Sequence, residues 1–130
     1  MAYTQDFVDA ANRHMEAANC LHDHEPPCRR RDIAGYLYGI AAECAVKEIM
    51  RRSRHWREPE RAHFPELKSL LRDNVQGRHA SVLRTFVEDS GFMNEWDVAM
   101  RYAPRKDITE LQVRRWRDNA TRAVDAMRKC

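Results

Sequence analysis

Glycine and proline are scarce in these 130 residues, with 4 of the first and 5 of the second, and Val, Ile and Thr seldom alternate with polar residues. So little turn and strand material argues against a sheet protein and for an all-α chain. Cysteine is confined to Cys20, Cys28, Cys44 and Cys130. These follow no secreted-protein framework, and Cys44 lies inside the most apolar stretch, so they read as reduced thiols. No run of about 18 apolar residues exists, which excludes an expected membrane span. The opening MAYTQDFVDA has neither a basic nor an apolar leader region, and a cytoplasmic location is expected. Also missing are a Gly-rich phosphate loop, a Ser-His-Asp order, a carboxylate pair set up for acid–base work, an internal repeat and a low-complexity tract. Cys20, His22, His24 and Cys28 have metal-ligating atoms within nine residues. On a helix, however, His22 leaves the face shared by Cys20 and His24, and Pro26-Pro27 sends Cys28 elsewhere, so neither metal nor cofactor is expected.

What the chain does contain is organised around Ile33 to Met50, IAGYLYGIAAECAVKEIM, which is apolar on nearly every face and reads as a buried central helix. Ile33, Leu37, Ile40 and Cys44 step down one side. Gly35 and Gly39, among Ala34, Ala41, Ala42 and Ala45, predict close approach by a neighbouring helix, with the crossing at Gly39. Glu43 and Lys47 form an acid-before-base pair at i,i+4, suited to a soluble bundle.

Amphipathic segments flank this helix in order. Thr4 reads as the N-cap of a first helix carrying Phe7, Ala11, Met15, Ala18 and Leu21, stopped before Pro26-Pro27. Pro65 opens a short third helix with Leu67, Leu70 and Leu71 inside, ending over Asn74 to Gly77. Val82, Leu83, Phe86 and Val87 mark a fourth, with Gly91 as its C-cap. A turn or helix with Phe92, Trp96 and Met100 follows, ended by Pro104. The last helix starts near Thr109 and buries Val113, Trp116, Ala120, Ala123, Val124 and Met127. The expected fold is a single domain over 1–130, an all-α, four-to-five-helix up-and-down bundle.

Charge is unevenly spread. Residues 1–50 carry net −3 and residues 101–130 net +5, so the C-terminal surface favours anionic partners. Arg101 and Tyr102 pair a phosphate-forking guanidinium with a phenol that can stack. The structural alternative packs the ring in the core and uses the Arg to cap carbonyls. Arg105 and Lys106 thicken the patch, and Arg114, Arg115 and Arg117 suggest a phosphate track. Arg51, Arg52, Arg54, Arg57 and Arg61 form a second basic cluster around His55 and Trp56, whose simpler role is to complement a helix dipole.

AGYLYGIAAECAVKEIM, then HFPELKSLL, WDVAMRYAP and a long amphipathic helix together resemble the HEPN domain family of prokaryotic and eukaryotic helical bundles, over roughly Asp6 to Met127. The resemblance implies a homodimer that acts on or near RNA or nucleotides, often in toxin–antitoxin, phage-defence or nucleotidyltransferase-paired systems. Many members are metal-independent endoribonucleases with an Arg, four to six intervening residues, and a His. Arg57 with His63 and Arg72 with His79 match that spacing formally, but chance alone supplies about 2.6 such matches in this composition. Pro59 and Gly77 interrupt them, and no His follows Arg101 or Arg105 at that spacing. The expected function is therefore a nucleotide- or RNA-associated accessory or interaction module without the ribonuclease motif. An endoribonuclease toxin and a purely structural dimeric partner are the alternatives. Phe92, Trp96, Met100 and Tyr102 offer more large apolar surface than a small bundle readily buries, which predicts that part of that surface is an interface.

Overall fold

A computed structural model describes residues 4–25, 30–53 and 62–130. Among them are five α-helices, α1 Phe7–Asp23, α2 Arg31–Arg52, α3 Glu66–Asp73, α4 Ala80–Glu88 and α5 Glu110–Lys129, with 3-10 helices at Val98–Tyr102 and Arg105–Asp107 and no strand. No helix of the described residues is long and apolar enough to cross a membrane.

Side-chain caps start the two outer long helices. Asp6, not Thr4, caps α1: its carboxylate accepts the Asp9 amide at 2.9 Å, satisfying a donor that has no intrahelical partner. Thr109 caps α5 in a full capping box, the Gln112 amide donating to Thr109 Oγ1 while Gln112 Oε1 accepts the Thr109 amide. Pro65 occupies the N-cap of α3, and Asn74 ends it by donating from Nδ2 to the Leu70 carbonyl at 2.7 Å.

α2 is the central element, with thirteen buried residues. They include the small-residue side, Ala34, Gly35, Tyr38, Gly39, Ala41, Ala42, Ala45, Val46 and Ile49, together with Glu43, Lys47, Glu48 and Met50. The Ile33, Leu37, Ile40, Cys44 stripe is the less covered side, with Ile33 40% exposed and the other three half-buried. α1 lies antiparallel to α2: Asn19 near its end meets Tyr38, and Phe7 at its start lies under Lys47. α5 runs parallel to α2. Gly35 touches Val113 and Trp116 near the start of α5, while Arg52 donates to the Met127 and Cys130 carbonyls at its end. The simple up-and-down alternation therefore fails between these two long helices. Residues 89–109 carry the chain from the end of α4 back to the starting end of α2.

That return segment is packed rather than looped over the surface. Phe92 is 0% and Trp96 1% exposed, and Phe92 stands edge-on to Phe64 with ring centroids 5.6 Å apart. The expectation that these two rings form an interface is overturned, because the fold itself consumes them. The expected Gly91 C-cap is also replaced. Asp89 follows α4 in an extended conformation, and the left-handed residues of the turn are Met93 (φ 50) and Glu95 (φ 69). A non-glycine residue in that region carries strain. Here it is offset by burial of the Met93 side chain and by donation of its amide to Asn119 Oδ1 at 2.6 Å.

Candidate functional site

The basic residues separate into those paired inside the fold and those without an ion-pair partner among the described residues. Arg51 and Arg52 both bond Glu48, at 2.7 Å for the closest contact of each. Arg117 forks to Asp23 at 2.8 and 3.1 Å, Arg122 bonds Asp89 at 2.9 Å, and Arg114 bonds Glu110 at 3.3 Å. Arg54, Arg57 and Arg61 of the second basic cluster lie outside the described residues. Arg105, Lys106 and Arg115 are exposed and have no ion-pair partner among the described residues.

Arg101 and Tyr102 end the first 3-10 helix, where Asp97 caps the turn by accepting the Ala99 amide at 2.8 Å. The Arg101 guanidinium lies 5.0 Å from the centroid of the Tyr102 ring, and its Nη1 donates to the Tyr36 hydroxyl at 3.5 Å. Tyr36 in turn stacks on Trp96, with centroids 5.7 Å apart and planes 20° from parallel. Tyr102 itself is 80% exposed. This excludes the reading in which the ring packs in the core and leaves a cation beside an open aromatic face. Arg105 and Lys106 follow within four residues on the second 3-10 helix, so one short stretch presents three cations and a phenol to solvent.

Arg114, Arg115 and Arg117 do not form one track. Arg114 and Arg117 line a cleft of about 430 Å³ with His22, Asp23, Glu110 and Asp118. Arg115 lines a separate pocket of about 130 Å³ with Gly91, Asn94, Glu95, Gln112 and Trp116. Three carboxylates in the larger cleft offset its two guanidiniums, so it is no simple anion site.

That larger cleft holds a buried polar cluster that sequence spacing did not reveal. His22 is 5% exposed; its Nε2 lies 2.7 Å from Glu110 Oε1, and its Nδ1 faces Arg117 Nη1 at 3.3 Å and the Tyr38 hydroxyl at 3.4 Å. Tyr38 donates to Asn19 Oδ1 at 2.7 Å, and burial pushes its phenol up to about 12. The members come from positions 19 to 117, and only the antiparallel docking of α1 on α2 and α5 brings them together. Both ring nitrogens of His22 are thus engaged by protein groups. Cys20 is exposed, Cys28 lies outside the described residues, and no group of three His, Cys, Asp or Glu is placed to hold a metal among the described residues. Cys20, Cys44 and Cys130 are free thiols.

The formal Arg–His matches take different places. Arg57 is outside the described residues. Its partner position, His63, hydrogen-bonds from Nδ1 to the buried Glu43 at 2.9 Å, and Glu43 also accepts the Phe64 amide at 2.7 Å. His63 is therefore tied to α2 in a role that supports the 62–64 segment. His79 precedes α4, donates its backbone amide to Ser53 Oγ at 3.3 Å and lines a groove with Val82, Arg122 and Lys129. Arg72, exposed on α3, is not among the lining residues of that groove.

No protein-family model, curated protein or solved structure matches the chain.

Proposed function

We propose that the chain is a HEPN-like helical module that associates with RNA or a nucleotide through the Arg101–Lys106 surface. In this reading it serves as an accessory or interaction component, of the kind found in toxin–antitoxin, defence or nucleotidyltransferase-paired systems, and not as a nuclease. The observation that carries it is the exposure of Tyr102 beneath the Arg101 guanidinium. An aromatic face at that exposure contributes almost nothing to folding, yet it can stack on a base while the adjacent unpaired cations meet phosphates. The all-helical architecture and the order of the quoted segments support the HEPN-like assignment. A homodimer remains part of the proposal on that resemblance alone, since Phe92 and Trp96 are spent in the core.

Fluorescence anisotropy with a labelled single-stranded RNA tests the reading. Binding should be detectable at about 50 mM salt and weaken steeply as salt rises, because phosphate contacts release counterions. Arg105→Ala should flatten the salt dependence more than Arg114→Ala, whose side chain already bonds Glu110. Absence of binding at low salt to RNA and to mononucleotides would overturn the proposal.

A further inference from the structure

The cluster around His22 has a property separate from nucleic-acid binding: its geometry depends on which imidazole nitrogen carries hydrogen. Glu110 at 2.7 Å accepts from Nε2–H. Arg117 has only hydrogens to offer, so its approach to Nδ1 at 3.3 Å requires a lone pair there. The Tyr38 hydroxyl gives its hydrogen to Asn19 and turns a lone pair towards the ring, at 3.4 Å from Nδ1. A neutral, Nε2-protonated His22 thus receives from Arg117 and donates to Glu110, while the Tyr38 oxygen gains a hydrogen from the ring only when Nδ1 is protonated.

We infer that His22 is a proton-operated latch on Arg117. In the neutral state the ring and Asp23 together hold the guanidinium against the end of α1, joining the first helix to the last. When solvent delivers a proton to Nδ1, that nitrogen can no longer accept. The new N–H turns to the Tyr38 oxygen, and the imidazolium repels the guanidinium 3.3 Å away. Arg117 then keeps only its partly exposed pairing with Asp23, an interaction of small worth.

The charged and titratable groups around the ring act in both directions. From α5, Glu110 favours the protonated ring, whereas Arg117 and, further out in the same cleft, Arg114 oppose it; Asp118 also lines that cleft. From α2, Tyr38 is neutral and presents oxygen. From α1 itself, Asp23 lies beyond Arg117, and the C-terminal end of the helix favours a cation.

The test is a proton and nitrogen NMR titration of the full chain from about pH 5 to about pH 8, spanning the range in which histidine charge changes. Wild-type His22 should show the Nε2–H tautomer at the upper end. As it takes its second proton, the Arg117 Nε–H signal should shift and lose order, and amide exchange in the last turn of α1 should quicken. Arg117→Gln, which removes a facing cation, should raise the His22 midpoint relative to the wild type, and Glu110→Gln, which removes a facing anion, should lower it. His22→Gln should leave Arg117 insensitive to pH. The inference is overturned if the midpoint is the same in the wild type and Arg117→Gln, or if Arg117 remains fixed while His22 titrates. The wild-type titration decides the latter question even if a variant fails to fold.

Discussion

The indole of Trp96 occupies the space where a side chain on Gly39 would begin: a Cβ at that position would fall within the ring, against Cε2, Nε1 and Cζ2. The glycine is required by a close approach, and the approaching group is a side chain from the return segment rather than the crossing helix anticipated from the small-residue pattern. Trp96 is also fixed by donation from Nε1 to the Gly35 carbonyl at 3.1 Å.

Gly39→Ala should therefore be costly despite the size of the change, because Trp96 has no room to retreat. Overpacking of this kind costs on the order of 1–3 kcal/mol or more. Gly35→Ala places its Cβ 3.0–3.2 Å from Trp116 and Val113, a tight contact that small shifts of α5 relieve. Thermal melts should rank the two, with Gly39→Ala much the worse. Equal midpoints would mean that Trp96 repacks freely.

Trp96→Ala removes the same contact from the other side. It empties a fully buried site and deprives Tyr36 of its stacking partner. The expected loss is about 3–5 kcal/mol, read by denaturant unfolding, and a monomer–dimer equilibrium should be unaffected because the ring faces the core. A change in assembly with unchanged stability would restore the interface reading that the burial of Trp96 excludes.

The outline of this fold was legible where short-range rules govern it. Thr109, Pro65 and the Asn74–Gly77 stop act within one turn of their own positions, and the α5 stripe from Val113 to Met127 obeys a single period. Three features escaped such rules. The packing of Trp96 on Gly39, and of Phe92 on Phe64, exists only once residues 89–109 meet the rest of the fold. The His22 cluster joins positions 88 and 95 residues apart, so no local pattern could have announced it. The exposure of Tyr102 was undecided for the same reason: Arg-Tyr after an apolar segment is compatible with core or surface until the return path is known.

Glu43 and Glu48 lie on one helix, and their surroundings move them in opposite directions. Burial pushes the Glu43 carboxyl above its ordinary 4.5, against the hydrogen bonds from His63 and Phe64. The Arg51 guanidinium, with Arg52, holds Glu48 below that value despite burial. The folded state thus binds the Glu43 proton more tightly than the unfolded chain, and stability from this group falls as pH rises from 4.5 through its raised folded pKa. For Glu48 the sign is reversed: its contribution is present above 4.5 and is lost as pH falls through its lowered folded pKa. Melting temperatures between about pH 3 and about pH 7 should show Glu48→Gln with a shallower acid decline and Glu43→Gln without the decline above 4.5. Parallel curves for wild type and both variants would contradict these assignments.

Arg101 and Tyr102 should separate binding from folding. Both side chains are exposed, and among the described residues the only inward hydrogen bond from either is that from Arg101 to Tyr36 at 3.5 Å. Arg101→Glu and Tyr102→Ala should consequently change stability by no more than about 0.5 kcal/mol. If a base stacks on the open face of Tyr102, Tyr102→Ala should weaken RNA or nucleotide binding by about 1–3 kcal/mol, whereas Tyr102→Phe, which keeps the ring, should retain most of it. Arg101→Glu should abolish binding by replacing a phosphate-seeking cation with a repelling anion. Anisotropy titrations and melts on the same samples distinguish the cases. Unaltered affinity in Tyr102→Ala and Arg101→Glu, with wild-type binding intact, would move the contact surface away from the 3-10 segment and towards other unpaired cations such as Arg115.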